Sequence, residues 1–342
     1  MILLEILKVY CTKRHHPEST VMNTTEKKPA ITIIGKGAIG SWIAHEFLNA
    51  GYTVSFVHRA SHMPKQEQRY IWTIRENSFE TSHEAPLIGK LSDGISQSWD
   101  NLIIIATRAS DLPDVWQNHI SALPPCESPD RAPLILVCCN GWVVEMIQNW
   151  AVLRPDLTFR LAIATVGIKH TSGHIFLRTD QAGTVWWGPI TPSPKKNQSA
   201  DKTGLPLAFE WDVDIIERSR QKWLFNTAAN TLAGSLELPR NDMLLDIYRN
   251  RLRDLFDEAY DLGCELWTEW MLENKLKPAR REELWQALCR LIRATGANEN
   301  SMSRAVRTGE GKAEALYLGG LALDRIGYPE LKKATRKILS SV

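Results

Sequence analysis

Ala30-Ile31-Thr32-Ile33-Ile34-Gly35-Lys36-Gly37-Ala38-Ile39-Gly40 is the stretch whose reading decides the fold. Its first five residues are apolar and β-branched, broken only by Thr32, as in a strand buried within a parallel sheet. The next six spell Gly-x-Gly-x-x-Gly. Residues 41–49 then read as a helix, closed by Ala50-Gly51, where glycine can take the left-handed cap conformation. Strand, glycine turn and helix in this order suit a nucleotide diphosphate. The first glycine permits the tight turn, the second lets backbone approach the diphosphate, and the third lets helix and strand pack closely. The free N–H groups and positive end of the helix then face the anion. Gly35, Lys36, Gly37, Ala38, Ile39 and Gly40 are therefore the expected cofactor-binding turn.

Outward from this turn, residues 53–57 read as a second strand, and 102–106 and 134–139 as further buried strands. Helical patterns lie at 111–120 and 142–150. Strands alternating with helices imply a doubly wound parallel sheet. Residues 161–168, 174–177 and 185–187 look like additional strands. Residues 191–204 are polar and rich in Pro, Ser, Lys and Asn, as in a loop. From 213 onward the texture is helical, with periodicities over 215–236, 243–270, 281–293, 313–325 and 330–339. The expected class is α/β, an N-terminal Rossmann-type sheet followed by an all-helical C-terminal domain. The expected boundaries are 30–190 for the nucleotide-binding Rossmann domain, 191–212 for the linker and 213–342 for the helical domain.

Residues 1–29 are expected to be an extension outside the fold. Its apolar start, Met1 to Leu7, has no positive region before it and no cleavage site after it, so it is a poor secretory signal. A short surface helix is the alternative. The 342 residues suffice for two cores. A formal net charge of +2 and the lack of a basic block argue against nucleic acid or an anionic membrane as partner. No apolar run has the length of a membrane span. The six cysteines, Cys11, Cys126, Cys138, Cys139, Cys264 and Cys289, show no CxxC or zinc spacing. They read as reduced thiols in a cytoplasmic protein without a metal.

Cofactor choice is read after the second strand. An NAD enzyme usually offers an acidic residue there for the ribose 2′-hydroxyl. This chain offers Val57-His58-Arg59-Ala60-Ser61, and an arginine fork matches a 2′-phosphate. Arg108, just past the strand 102–106, adds a second positive charge at the sheet's carboxyl edge. NADP is the expected cofactor.

In the helical half, Lys222, Asn226 and Asn230 fall at i, i+4 and i+8 and form one polar stripe among apolar neighbours. Asparagine is a mediocre helix former, so two on one stripe ask for a reason. A lysine beside amides can protonate a ketone oxygen while the amides orient the substrate. Asn298-Glu299-Asn300-Ser301-Met302 precedes another helix, and Glu314 opens the one after it. Read alone, Ser301 is an ordinary helix cap and Glu314 an ordinary surface carboxylate.

Taken together, these motifs resemble the ketopantoate reductases (2-dehydropantoate 2-reductases). The matching pieces are Gly35-x-Gly37-Ala38-Ile39-Gly40, Asn140-Gly141 at a strand end, Lys222-x-x-x-Asn226-x-x-x-Asn230, and Asn298-x-x-Ser301-Met302 leading to Ala313-Glu314. The resemblance runs from about residue 30 to the C-terminus. It implies an active site in a cleft between the two domains and NADPH-dependent reduction of 2-dehydropantoate to pantoate, a step toward pantothenate and coenzyme A. It makes Lys222 the general acid and Asn226, Asn230, Asn298, Ser301 and Glu314 the substrate-binding residues. It sets Asn140 near the nicotinamide and Arg59 and Arg108 where the family has basic residues for the 2′-phosphate.

This chain departs from the pattern in places. Arg108 stands where a lysine is frequent, Arg304-Ala305 occupies a region where Asp is frequent, and one extra residue separates Ser301 from Glu314. An inserted residue turns a helix by about 100°, which makes Glu310 the fallback for the acidic position. Two alternatives follow, a reductase of the same fold for another 2-keto acid and a catalytically silent NADPH-binding sensor or scaffold. The expected partners are a small 2-keto acid and, as an open alternative, a second copy of the chain.

Overall fold

The computed structural model describes residues 30–57, 69–76, 79–88, 91, 102–126, 132–171, 174–177, 183–191, 205–273, 279–296 and 299–341. The N-terminal extension, linker residues 192–204, Arg59 and Asn298 lie outside them. The chain forms two compact units, one of residues up to 139 together with 143–216, the other of 140–142 together with the chain from 217 onward.

Among the described residues the first unit is built on one sheet of eleven strands. They are β1 (Ala30–Ile34), β2 (Thr53–Val57), β3 (Arg69–Glu76), β4 (Phe79–Ile88), β5 (Leu102–Ile105), β6 (Leu134–Cys138), β7 (Thr158–Thr165), β8 (Ile168–Thr171), β9 (His174–Leu177), β10 (Thr184–Pro189) and β11 (Phe209–Trp211). Their order across the sheet is β11-β10-β7-β6-β5-β1-β2-β4-β3-β9-β8. The run from β7 to β4 is parallel. Burial explains it: every residue of β5, Leu-Ile-Ile-Ile, is buried, as a strand covered on both faces must be. The flanks are mixed, since β10 runs antiparallel to β7 and β3 antiparallel to β4. The sheet is therefore broader than an all-parallel reading allows.

Chain order reverses at β1, which has β2 on one side and β5 on the other. Such a reversal leaves a crevice at the carboxyl ends of the strands, where ligands of open α/β sheets bind. The helix α1 (Ala38–Asn49) follows β1 directly and buries Trp42, Ile43, Ala44 and Phe47. The expected helix at 111–120 is a mixed stretch, with a short α-helix α2 (Leu112–Val115) between a tighter turn before it and a wider one after it. Pro113 sits in the first turn of α2, where a missing N–H costs no intrahelical bond. The next helix, α3 (Val144–Leu153), lies between β6 and β7.

The second unit is helical, with α4 (Ile215–Leu236), α5 (Met243–Asp246), α6 (Arg249–Glu273), α7 (Arg281–Ala294), α8 (Ser301–Arg307), α9 (Gly311–Tyr317) and α10 (Pro329–Ser340). The first two residues of α4 fall in the other unit. Two expected helices are broken. The periodicity over 243–270 divides into α5 and α6. That over 313–325 stops at Leu318, where φ is −105° and ψ −98°. Gly319-Gly320 follows, a poor helix former. A side chain at Gly319 would bring its Cβ to 2.1 Å from Thr335 Oγ1 of α10, so this crossing requires a glycine. Aromatic rings fill the interior: Trp223 meets Trp267 edge to face at 5.0 Å, and Phe256 lies 5.4 Å from Trp285. Among the described residues no helix is long and apolar enough to cross a membrane.

A pair of imidazoles joins α1 to the β3–β4 hairpin. Nδ1 of His45 lies 2.7 Å from Nε2 of His83, and the Asn49 amide nitrogen lies 2.9 Å from His45 Nε2. An amide NH2 only donates, so His45 accepts at Nε2 and donates from Nδ1 to His83. Burial, with His83 adding to it, pulls the His45 imidazole down to about 4, and burial lowers His83 as well. The unfolded chain binds this proton near pH 6.5 and the folded chain only near pH 4. The unfolded state therefore binds more protons in that window, and stability falls as pH drops through it, by about 3 kcal/mol at most for His45. We expect urea unfolding at pH 7 and pH 5 to show this loss in the parent and a smaller one in His45→Gln. An equal loss in both would refute the assignment.

Candidate functional site

The site is built first from backbone. Gly35 has φ +110°, a left-handed conformation that favours glycine, and its Cβ would fall 2.4 Å from the carbonyl oxygen of Ala106 past β5. Ala106 N–H in turn donates to Ile34 O at 2.8 Å. A Cβ at Gly40 would fall 1.9 Å from Gly35 O. Gly37 is different: a Cβ there meets nothing within 4 Å. The turn is thus closed against the sheet at its first and third glycines and open at its second. Gly37 caps α1 without a side-chain hydrogen bond, and no acidic residue stands in the helix's first turn. No side chain of α1 competes with an anion for the first N–H groups, so the residues fit a diphosphate.

Around this turn, Arg108 is exposed two residues past Ala106, at the same carboxyl edge. Asn140 is exposed beyond β6, before Gly141, whose φ is +109°. Arg59 follows β2 by two residues and lies outside the described residues. Burial pushes the Cys139 thiol up to about 12, which removes it as a nucleophile at neutral pH. Among the described residues no cluster of three or more His, Cys, Asp or Glu could hold a metal ion.

In the helical unit, α4 is continuous through Lys222, Asn226 and Asn230, so the three share one face. All are half-buried, while Trp223, Leu224, Ala228 and Ala229 beside them are buried. Asn230 has a defined partner. Its Oδ1 accepts from the Asn300 amide at 2.9 Å, and the same amide donates to Asn241 Oδ1 at 3.0 Å. Asn300 Oδ1 meanwhile accepts from the N–H groups of Met302 at 3.0 Å and Ser303 at 3.4 Å, the first turn of α8. Asn230 therefore keeps its NH2 to offer, a donor suited to a substrate oxygen.

The helix cap is Asn300, one residue before Ser301. Ser301 is exposed as the first residue of α8. Asn298 lies outside the described residues. Glu314 is half-buried in the first turn of α9, with one carboxylate oxygen shut off from solvent. Glu310 is exposed at the cap of that helix. The end of α9 is tied to α4, since Trp223 Nε1–H donates to Tyr317 O at 3.3 Å. Burial favours Glu314 over Glu310 as the acidic member of a site.

Two residues escaped the sequence reading. Asn300 was legible in principle, since asparagine is a preferred helix cap and precedes a helical pattern by one residue. Tyr70, at the start of β3, donates from its hydroxyl to Lys36 O at 3.1 Å and touches the glycine turn. No motif marks it, because the turn and the tyrosine lie 34 positions apart.

Comparison with known proteins follows the same lines. No curated protein matches the chain. Solved structures resemble it over nearly its whole length. D-mandelate dehydrogenase, in a ternary structure with NADH and anilino(oxo)acetate, has 17% identity and a TM-score of 0.68, covering 91% of this chain and 98% of the other. The 2-dehydropantoate 2-reductase of Methylococcus capsulatus has 17% identity and a TM-score of 0.61, with coverage of 90% and 94%. The dimeric ketopantoate reductase of Staphylococcus aureus has 14% identity and a TM-score of 0.65, with coverage of 91% and 98%. Identities this low establish the fold alone. The sequence itself is more telling, for the family model described as Ketopantoate reductase PanE/ApbA matches residues 31–192. Over that segment, with its glycine turn and surrounding strands, the chain is similar to the ketopantoate reductase PanE/ApbA family.

Proposed function

We propose that the protein is an NADPH-dependent reductase of a 2-keto acid, with 2-dehydropantoate as substrate and pantoate as product. The observation that carries this reading is the Lys222, Asn226, Asn230 stripe on α4, its last member held by the buried Asn300. A lysine aligned with two amides beside buried apolar neighbours is a set that can protonate and orient a keto acid. The uncapped glycine turn supports the nucleotide half of the reading.

When bound, the reduced nicotinamide supplies a hydride to the keto carbon. The remaining chemistry belongs to this chain. As the carbonyl π bond breaks, negative charge develops on its oxygen, and Lys222 Nζ donates the proton that completes the alcohol. Asn226 and the NH2 group of Asn230 orient the substrate, together with Asn298. Ser301 takes the carboxylate and Glu314 the hydroxyl of the substrate. Arg59 and Arg108 meet the 2′-phosphate, and Asn140 stands by the nicotinamide. The likeness to a D-mandelate dehydrogenase with NADH and an oxo acid supports a second reading, a different 2-keto acid with NADH as reductant. A dimeric relative in fold supports a second copy of the chain as partner.

Three outcomes test the reading. With 2-dehydropantoate, pyruvate and 2-oxoisovalerate compared in NADPH oxidation, the first should be reduced with the highest kcat/KM; a clear preference for another favours the second reading. Lys222→Ala should lose kcat by about 10²–10⁴-fold while still binding NADPH, and full turnover would remove Lys222 as the acid. The parent should bind NADPH more tightly than NADH, and Arg59→Ala or Arg108→Ala should weaken NADPH far more than NADH. Equal affinity of the parent for both nucleotides would sink the cofactor assignment.

A further inference from the structure

Tyr70 reaches the glycine turn from a strand that the nucleotide motif does not include. Its ring is anchored on two sides, stacked on Trp72 at 5.1 Å and edge-on to Phe56 of β2 at 5.1 Å. Burial raises the phenol pKa above its usual value, partly offset by the contact with Ser41, so the hydroxyl keeps its proton at neutral pH. That hydroxyl donates to Lys36 O at 3.1 Å. Ser41 Oγ, fully buried in the first turn of α1, donates to the same carbonyl at 3.4 Å and lies 3.1 Å from the Tyr70 oxygen. The Lys36 ammonium lies over the Tyr70 ring, 5.5 Å from its centre.

In a trans peptide the carbonyl and the following N–H point in opposite directions. The Lys36–Gly37 peptide is trans. Fixing Lys36 O toward the two hydroxyls therefore aims the Gly37 N–H away from them. Gly37 has no side chain to resist rotation, and the space at its Cα is open. A flipped peptide would present a carbonyl oxygen to an approaching phosphate, and like partial charges would repel. We infer that Tyr70 and Ser41 latch the Lys36–Gly37 peptide in the orientation that offers its N–H to the nucleotide diphosphate, which makes Tyr70 a positioning residue for cofactor binding. The inference rests on the proposed binding of NADPH at this turn.

Tyr70→Phe isolates the latch, because it keeps the ring that packs on Trp72 and carries the Lys36 ammonium. Titrations of the full chain would use two probes: NADPH, and adenosine 2′-monophosphate, which lacks the diphosphate. We expect Tyr70→Phe to weaken NADPH by about 3- to 10-fold, the effect of one net hydrogen bond, and to leave adenosine 2′-monophosphate within about twofold of the parent. Combining it with Ser41→Ala should weaken NADPH further. If the parent binds NADPH and both variants match it, the latch is refuted while the cofactor reading stands. If both probes weaken alike, Tyr70 serves the fold and not the diphosphate, and the latch is again refuted. If the parent binds no NADPH, the cofactor reading itself fails and the latch with it.

Discussion

Three stretches of backbone converge at Gly35 with no room for a side chain between them. The carbonyl of Ala106 closes on its Cα from one side, and its own carbonyl is closed upon by Gly40 from the helix. This steric constraint fixes where α1 leaves the sheet and how close β5 runs to the turn. It also aims the helix's free N–H groups at the crevice formed by the reversal of strand order. Arg108 and the end of β2 reach that edge because the register of β1 with its two neighbours is set there. A larger residue at either glycine would displace the helix and the sheet edge together.

Much of this was legible because the signals are local. The glycine turn, the buried run of β5 and the full span of α4 follow from composition and period alone. The β3–β4 hairpin did not. Its first strand alternates Trp72 and Ile74 with Thr73 and Arg75, ends on the exposed Glu76, and is followed by the polar Glu-Thr-Ser-His-Glu of β4. Half-exposed flank strands carry a weak apolar signal, and their pairing depends on residues far away in sequence. The breaks at 247–248 and at Leu318 were hidden for a similar reason. Helical periodicity continues across them; in the second case Gly319-Gly320 and a close crossing of α10 interrupt it.

The polar stripe of α4 shows the same division between what is local and what is not. Spacing alone identifies Lys222, Asn226 and Asn230 as one face. It says nothing of Asn300, 70 positions beyond Asn230, whose side chain uses both its ends at once. One end stops the frayed N–H groups of α8 and the other holds two asparagines in place. A helix cap therefore couples a helix start to the candidate chemistry. Off this stripe α4 carries Arg220, buried, its guanidinium over the Trp267 ring at 4.7 Å and bonded to Glu217 at 2.9 Å. One helix thus separates a polar face from a packed one.

Trp142 bears on whether the helical unit could stand as a separate fragment. It belongs to that unit although it follows β6, and its ring lies 4.8 Å from Trp267 and 6.1 Å from Trp270. The unit is therefore discontinuous along the chain, completed by a three-residue excursion from the middle of the other one. Dissection at residue 216 would take Trp142 away with the wrong piece and uncover two tryptophans that α6 contributes to the interior. Expression of the C-terminal half by itself would meet that gap. The protein's modularity is real in three dimensions but does not exist as two consecutive lengths of sequence.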